Sequence, residues 1–239
     1  MSNLSQAAKD LSKSCNIVAS QLQEPVSVVY NPLDYAWDVH NNYLSKYGGL
    51  GAKTIILGMN PGPWGMGQTG VPFGDVTKTT SYLGLRGDVT QPKILHPKRP
   101  VIGLSCERGE VSGTRLWGII EEIFGSAEKA HEKFFVINHC PLLMFDEKGT
   151  NITPDKLRGV SGKELLFHCD EHLRKVTSIL GAERVIGVGA YAEKQAKKAL
   201  AGYEIEIGRI PHPSPANPMA NRNKGADWRE AVSNILSNL

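Results

Sequence analysis

The stretch TIILGMNPGPWGMGQTGVPFG, residues 54–74, decides how this chain is read. It opens with a β-branched apolar run, Thr54 to Leu57, and passes at once into a segment punctuated by glycine and proline. Within that segment Gly65, Gly67 and Gly70 spell G-x-G-x-x-G, the fingerprint of a dinucleotide-binding turn. The fingerprint works only if its first glycine turns directly out of the strand and delivers a pyrophosphate to the next helix N-terminus. Here Gly65 lies eight residues beyond Leu57, Pro61 and Pro63 intervene, and Val71, Pro72, Phe73 and Gly74 stand where the helix should begin. No G-K-[ST] ending supports a P-loop either. The segment reads as a rigid, irregular loop that lets a ligand approach the backbone closely.

Working outward, three more apolar runs follow: Phe134 to Ile137, Arg184 to Val188 and Glu204 to Ile210. Helical patterns near residues 114–124, 161–180 and 190–201 separate them, and this alternation predicts an α/β fold with a mostly parallel sheet covered by helices. Residues 3–22 and 38–47 also read as helices, and Val26 to Tyr30 as a short extended piece. Residues 75–113 read as a long surface loop. Ligands of such sheets bind beyond the carboxyl ends of the strands. Those ends carry Asn60-Pro61-Gly62-Pro63, Asn138-His139-Cys140-Pro141, Gly189-Ala190-Tyr191 and His212-Pro213-Ser214-Pro215, so two amides and a histidine are expected on one rim.

The 239 residues, 41% of them hydrophobic, suffice for one substantial core, and a single domain over residues 1–239 is expected. With 27 basic against 24 acidic residues the net charge is +3, so a nucleic-acid surface must come from local clustering. No apolar run of membrane-spanning length and no signal-peptide core is evident, and the chain reads as soluble and intracellular, with no membrane partner. Cys15, Cys106, Cys140 and Cys169 are scattered and read as free thiols. His168 and His172 have zinc-ligand spacing, but the apolar positions around them put both beside the buried stripe, toward the solvated face, so no metal site is expected.

The rim lacks a nucleophile triad, a carboxylate pair and a metal cage. What remains is positioning and electrostatics. Asn60 can orient a water, Asn138 offers a donor beside an acceptor that match the N3–H and O4 of uracil, and Phe73 can stack on the ring. His212, restrained by flanking prolines, can direct a donor at O2 and stabilise a departing uracil anion. Each also has an ordinary structural use: the two asparagines as turn caps, Phe73 as core, His212 as the partner of a buried carbonyl. Two other functions stay open, a non-catalytic single-stranded nucleic-acid-binding module and a nucleotide-cofactor oxidoreductase.

Six ordered motifs, VVYNPL at 28–33, the loop at 58–74, EVSGTRLW at 110–117, NHCPL at 138–142, VIGVG at 185–189 and HPSPANP at 212–218, closely resemble the single-strand-selective monofunctional uracil-DNA glycosylases. The resemblance implies a three-layer α/β/α sandwich around a four-stranded, mainly parallel sheet, the uracil-DNA glycosylase fold. It implies flipping of uracil and hydrolysis of its N-glycosidic bond to an abasic site, with no cofactor. No lysine occupies the motif positions, so no lyase step is expected. By the same resemblance Asn60 positions the water beside the Met59 backbone, Phe73 stacks on uracil, Asn138 reads its edge and His212 stabilises the leaving base. By the same resemblance Gly62 leaves room at C5, so 5-hydroxymethyluracil is expected as a second substrate. The segment Ser214 to Lys224 resembles the wedge entering the base stack, with Ser214, Pro215, Ala216, Asn217, Pro218, Arg222 and Lys224 as DNA-binding residues. It departs from the family at Ala216, where a basic residue is usual, and in a longer run before Trp228. Phosphate contacts are expected from Lys93, Lys98, Arg99, Arg222, Lys224 and the helix start after Gly189. The expected partner is uracil-containing DNA, single- or double-stranded, bound by a monomer.

Overall fold

A computed structural model describes residues 2–239. The chain begins with α1 (Asn3–Ala19), whose Ser2 cap accepts the Ser5 N–H and whose Leu4, Ala8, Leu11, Cys15 and Val18 line one buried face. Strand β1 (Val28–Tyr30), α2 (Pro32–Tyr35) and α3 (Trp37–Tyr47) lead into β2 (Thr54–Gly58). A single helical turn, α4 (Met66–Thr69), sits inside the glycine-rich loop, which is therefore not wholly irregular as expected. It ends at Gly70, whose φ of 73° lets the chain turn sharply against the Ala36 carbonyl.

Next come α5 (Val111–Phe124), α6 (Ala127–His131), β3 (Phe134–Asn138), β4 (Leu143–Phe145), β5 (Asn151–Ile152), α7 (Gly159–Leu180), β6 (Arg184–Val188), α8 (Ala190–Ala199), β7 (Glu206–Ile210) and α9 (Ala226–Leu236). The sheet order is β3-β2-β6-β7, all four strands parallel, which meets and tightens the expectation of a mostly parallel sheet in an α/β/α fold. Central β2 is buried throughout, as a parallel strand covered on both faces must be, and this is why Thr54 to Leu57 reads as a continuous apolar run. Helix α8 packs mainly on β6 and β7, α1 packs along α7, and Tyr43 of α3 stacks on Phe135 of β3 at 5.0 Å.

Two features depart from the sequence reading. Strands β1, β4 and β5 form a second, antiparallel sheet of three short strands. His172 does not face solvent: it is half-buried against α1, its Nδ1 lacks a partner, and burial lowers its pKa to about 4. The four cysteines are free and buried, and no group of three or more His, Cys, Asp or Glu capable of holding a metal occurs among the described residues. No helix among them is long and apolar enough to cross a membrane.

Candidate active site

Register builds the site. The last residue pair of β2 and β3 is Gly58 with Asn138, and that of β6 and β7 is Val188 with Ile210. The first ladder continues past the strand ends, since the His139 N–H donates to the Gly58 carbonyl and the Cys140 N–H to that of Met59, both at 2.9 Å. Met59 and Asn60 are thereby locked beside Asn138. His212 follows two residues after β7, and Gly189, one residue after β6, backs onto its ring at 3.5 Å from where a Cβ would stand.

Asn138 is the anomaly of this cluster. Its Nδ2 meets only the Met66 thioether, at 3.2 Å, and its Oδ1 is buried without a hydrogen-bond partner. Exchanging the amide's ends only changes which atom is orphaned, because sulfur is a weak partner either way. The Phe73 ring lies beside it: a Cβ on Gly58 would collide with Asn138 Oδ1 and come within 2.7 Å of Phe73 Cε2. Phe73 holds a left-handed backbone, φ 53°, which a bulky residue keeps only when its surroundings enforce it. Gly113 contributes, since any side chain there would strike the Phe73 carbonyl. The Phe73 and His212 ring centroids are 6.3 Å apart at 47°.

His212 receives the Ser214 backbone N–H on Nδ1 at 3.0 Å. A neutral ring so held carries its proton on Nε2, and burial lowers the pKa below the usual imidazole value, favouring that neutral form. Asn60 points its Nδ2 at three acceptors, the Pro61 and Leu142 carbonyls at 3.4 Å and Asn151 Oδ1 at 3.3 Å. Its Oδ1 takes part in none of these bonds and remains an acceptor for water. Asn151, on β5, also donates to the Pro61 carbonyl at 3.2 Å; it lay outside every motif and depends on the antiparallel sheet to arrive here. Across from Gly62 stands Glu110, its carboxyl 3.6 Å from where a Cβ would be. The Glu110 carboxylate caps α5 through the Ser112 and Gly113 N–H groups, and burial raises its pKa.

The expected wedge is a braced loop with an exposed tip. Asn217 does not project as a wedge residue would: its Nδ2 donates to the His212 carbonyl at 2.7 Å and its Oδ1 accepts the Met219 N–H. Ser214 Oγ accepts the Ala216 N–H, Arg115 donates to the Pro213 carbonyl at 2.8 Å, and Trp228 Nε1 to that of Pro211 at 2.7 Å. Pro215, Ala216, Pro218 and Met219 are left exposed at the tip. Arg222 and Lys224 are exposed, with Arg222 3.8 Å from Asp227. Of the other expected phosphate contacts, Lys93 and Lys98 are exposed, whereas Arg99 is tied down by its Nε bond to the Gly149 carbonyl at 2.7 Å. The helix start after Gly189 carries Glu193 in its first turn, an acidic neighbour for any phosphate there.

The sequence model of the Uracil DNA glycosylase superfamily matches residues 45–236. The single-strand selective monofunctional uracil-DNA glycosylase of Rattus norvegicus is 44% identical over 228 residues, 94% of this chain and 81% of that protein. The Mus musculus protein of that name is 44% identical over 92% of this chain and 80% of its own, and that of Bos taurus 43% over 90% and 80%. Among solved structures, wild-type SMUG2 of Pedobacter heparinus superposes with a TM-score of 0.62 at 20% identity, over 95% of this chain and 96% of that one, a likeness of fold.

Proposed function

The chain belongs to the uracil DNA glycosylase superfamily, as a single-strand-selective monofunctional member, and from that premise we propose how its strand-end cluster excises the base. It is a DNA glycosylase acting on uracil in DNA. The extruded uracil slides onto Phe73, and its N3–H and O4 pair with the Asn138 amide. The observation that carries this reading is the buried Asn138 Oδ1: of the six buried side-chain atoms that lack a partner among the described residues, it is the one that lies in the strand-end cluster. An imide edge supplies the missing donor.

Asn60 Oδ1 accepts a hydrogen bond from a water and directs its oxygen at C1′ of the deoxyribose. As the C1′–N1 bond breaks, its electron pair passes into the uracil ring and charge builds on O2, where the Nε2–H of neutral His212 donates. Water oxygen bonds to C1′, its proton leaves to solvent, the departing uracil anion takes up a proton from solvent, and the products are uracil and an abasic sugar. No step uses a lysine, so the strand stays intact. Gly62 and the Glu110 carboxyl leave a small polar recess; a 5-hydroxymethyl group there has an acceptor for its hydroxyl and a 5-methyl group has none. The enzyme acts as a single-domain monomer within the cell, on single-stranded uracil sites ahead of paired ones.

The test is to incubate the protein in EDTA with uracil-containing single- and double-stranded oligonucleotides, then add alkali. Strand scission after alkali only is expected. No scission on either substrate refutes the reading in favour of a non-catalytic module.

A further inference from the structure

The loop carrying Asn60 also carries Trp64, and the surroundings of Trp64 are basic. The Arg108 guanidinium lies 4.2 Å from the Trp64 ring centroid and that of Arg99 5.9 Å. The two differ in what else they do. Arg99 is fastened to the Gly149 carbonyl and its guanidinium also lies over Phe145. Arg108 is exposed, and among the described residues its guanidinium has neither a hydrogen-bond acceptor nor a carboxylate within ion-pair distance. No acidic neighbour pairs with it: the Glu110 carboxylate is turned to the Ser112 and Gly113 amides of α5, and Glu107 is exposed without an ion pair.

The stack is built on a fixed base. Buried Gln68 uses all its hydrogen-bonding capacity to rivet the Trp64 loop to the basic loop: Nε2 donates to the Pro63 carbonyl at 2.8 Å and that of Pro100 at 2.9 Å. Its Oε1 accepts the N–H of Ile102 at 2.7 Å and of Gly103 at 3.2 Å. A guanidinium lying on an indole is oriented by the ring, and its edge N–H groups stay free for an anion. Trp64 is four residues from Asn60, within roughly 14 Å by chain length alone, close enough to meet the strand beside an extruded nucleotide.

We propose that Arg108, oriented by Trp64, clamps a backbone phosphate of the DNA strand next to the flipped nucleotide. The ligand class is a phosphodiester, and the inference rests on the glycosylase reading for where the strand runs. Trp64 acts through Arg108 and not as a platform for a base, because the guanidinium already covers its face.

Binding of a uracil-free single-stranded oligonucleotide, followed by fluorescence anisotropy between about 50 and 200 mM salt, tests it. R108A is expected to flatten the slope of log affinity against log salt by about 0.7, a factor of about 2.6 less weakening across that range. W64A should produce the same flattening, W64A/R108A no more than either, and W64F, which keeps an aromatic face, the wild-type slope. An unchanged slope for R108A overturns the proposal, as does additivity of W64A and R108A, which would make Trp64 a stacking surface in its own right. Should W64A not fold, R108A and W64F still decide. Wild-type protein that binds with an R108-dependent slope but releases no uracil refutes the glycosylase reading and leaves the clamp standing. Release of uracil with a slope indifferent to R108A refutes the clamp alone.

Discussion

Replacing Asn138 by alanine should cut base recognition steeply while changing the stability of the fold little, in either direction. A buried acceptor with no partner costs about 1–3 kcal/mol, and N138A removes it. The losses are small: one contact to a thioether, about 0.5 kcal/mol, and a cavity on the order of 40 Å³, about 1 kcal/mol at the usual cost per volume. The balance runs from about 0.5 kcal/mol destabilising to about 1.5 kcal/mol stabilising. For a chain of this size each kcal/mol moves the thermal midpoint by about 2–4 °C, so the shift should lie between roughly −2 and +6 °C. Excision should move far more. Two hydrogen bonds to the imide edge, lost with their partners left unpaired, are worth about 3–4 kcal/mol, or roughly 10²–10³ in single-turnover rate. Calorimetry and excision of a uracil oligonucleotide by the same sample read both quantities. A midpoint lowered by more than about 8 °C would show that the fold depends on Asn138, and an excision rate near wild type would show that its orphaned oxygen does not wait for the base.

Three further outcomes follow from the geometry. Because Ser214 holds Nδ1 and burial depresses the His212 pKa, the donor at Nε2 belongs to the neutral ring; excision should hold level from about pH 6.5 to 9, and a tenfold fall per pH unit above 6.5 would make the imidazolium the working form. Asn151→Ala should lower kcat on the order of tenfold with KM nearly unchanged, since the side-chain bonds of Asn151 go to Asn60 and the Pro61 carbonyl and it acts through Asn60; a raised KM with intact kcat refutes that role. Buried His40 and His131 have pKa values near 4 against about 6.5 unfolded, so stability is complete above pH 6.5 and drains as the unfolded chain takes up their protons between pH 6.5 and 4. Each withdraws roughly 3 kcal/mol, and a urea midpoint unaltered between pH 7.5 and 5 would contradict this.

The parallel sheet is legible in the sequence because its central strands are buried on both faces and therefore apolar without interruption, and because parallel pairing forces a helix between each two strands. Strands β4 and β5 carry no such signal: three residues and two, one directly behind the NHCPL motif, give periodicity nothing to act on. Asn151 was invisible for that reason, since an asparagine after Gly149 and Thr150 reads as a turn until an antiparallel pair carries it to Asn60. His172 misled because α1 covers the side of α7 beyond its apolar stripe, a tertiary contact between segments over a hundred residues apart. Asn60, Phe73, Asn138 and His212 were legible as residue types at strand ends. Their working states, a left-handed Phe73, a one-sided Asn60 amide and a tautomer chosen by Ser214, are set by neighbours brought in by the fold.

Gln68 and Asn138 show what that fold does with buried amides. Gln68, 1% exposed, is satisfied four times over and ties the Trp64 loop to the loop that carries Pro100 to Gly103. Asn138, 8% exposed, is left half unsatisfied between Met66 and Phe73. An orphaned acceptor survives only if its neighbours cannot relax to meet it, and here the neighbours are held. The β2–β3 ladder fixes its backbone, Gly58 admits its side chain by having none, and Gly113 makes room for the Phe73 carbonyl that keeps the ring at φ 53°. Rigidity from fully paired groups is thus the condition for an unpaired one to persist. Loosening Gln68 should therefore harm uracil recognition without touching uracil, by letting the loop of Phe73 close over the waiting amide.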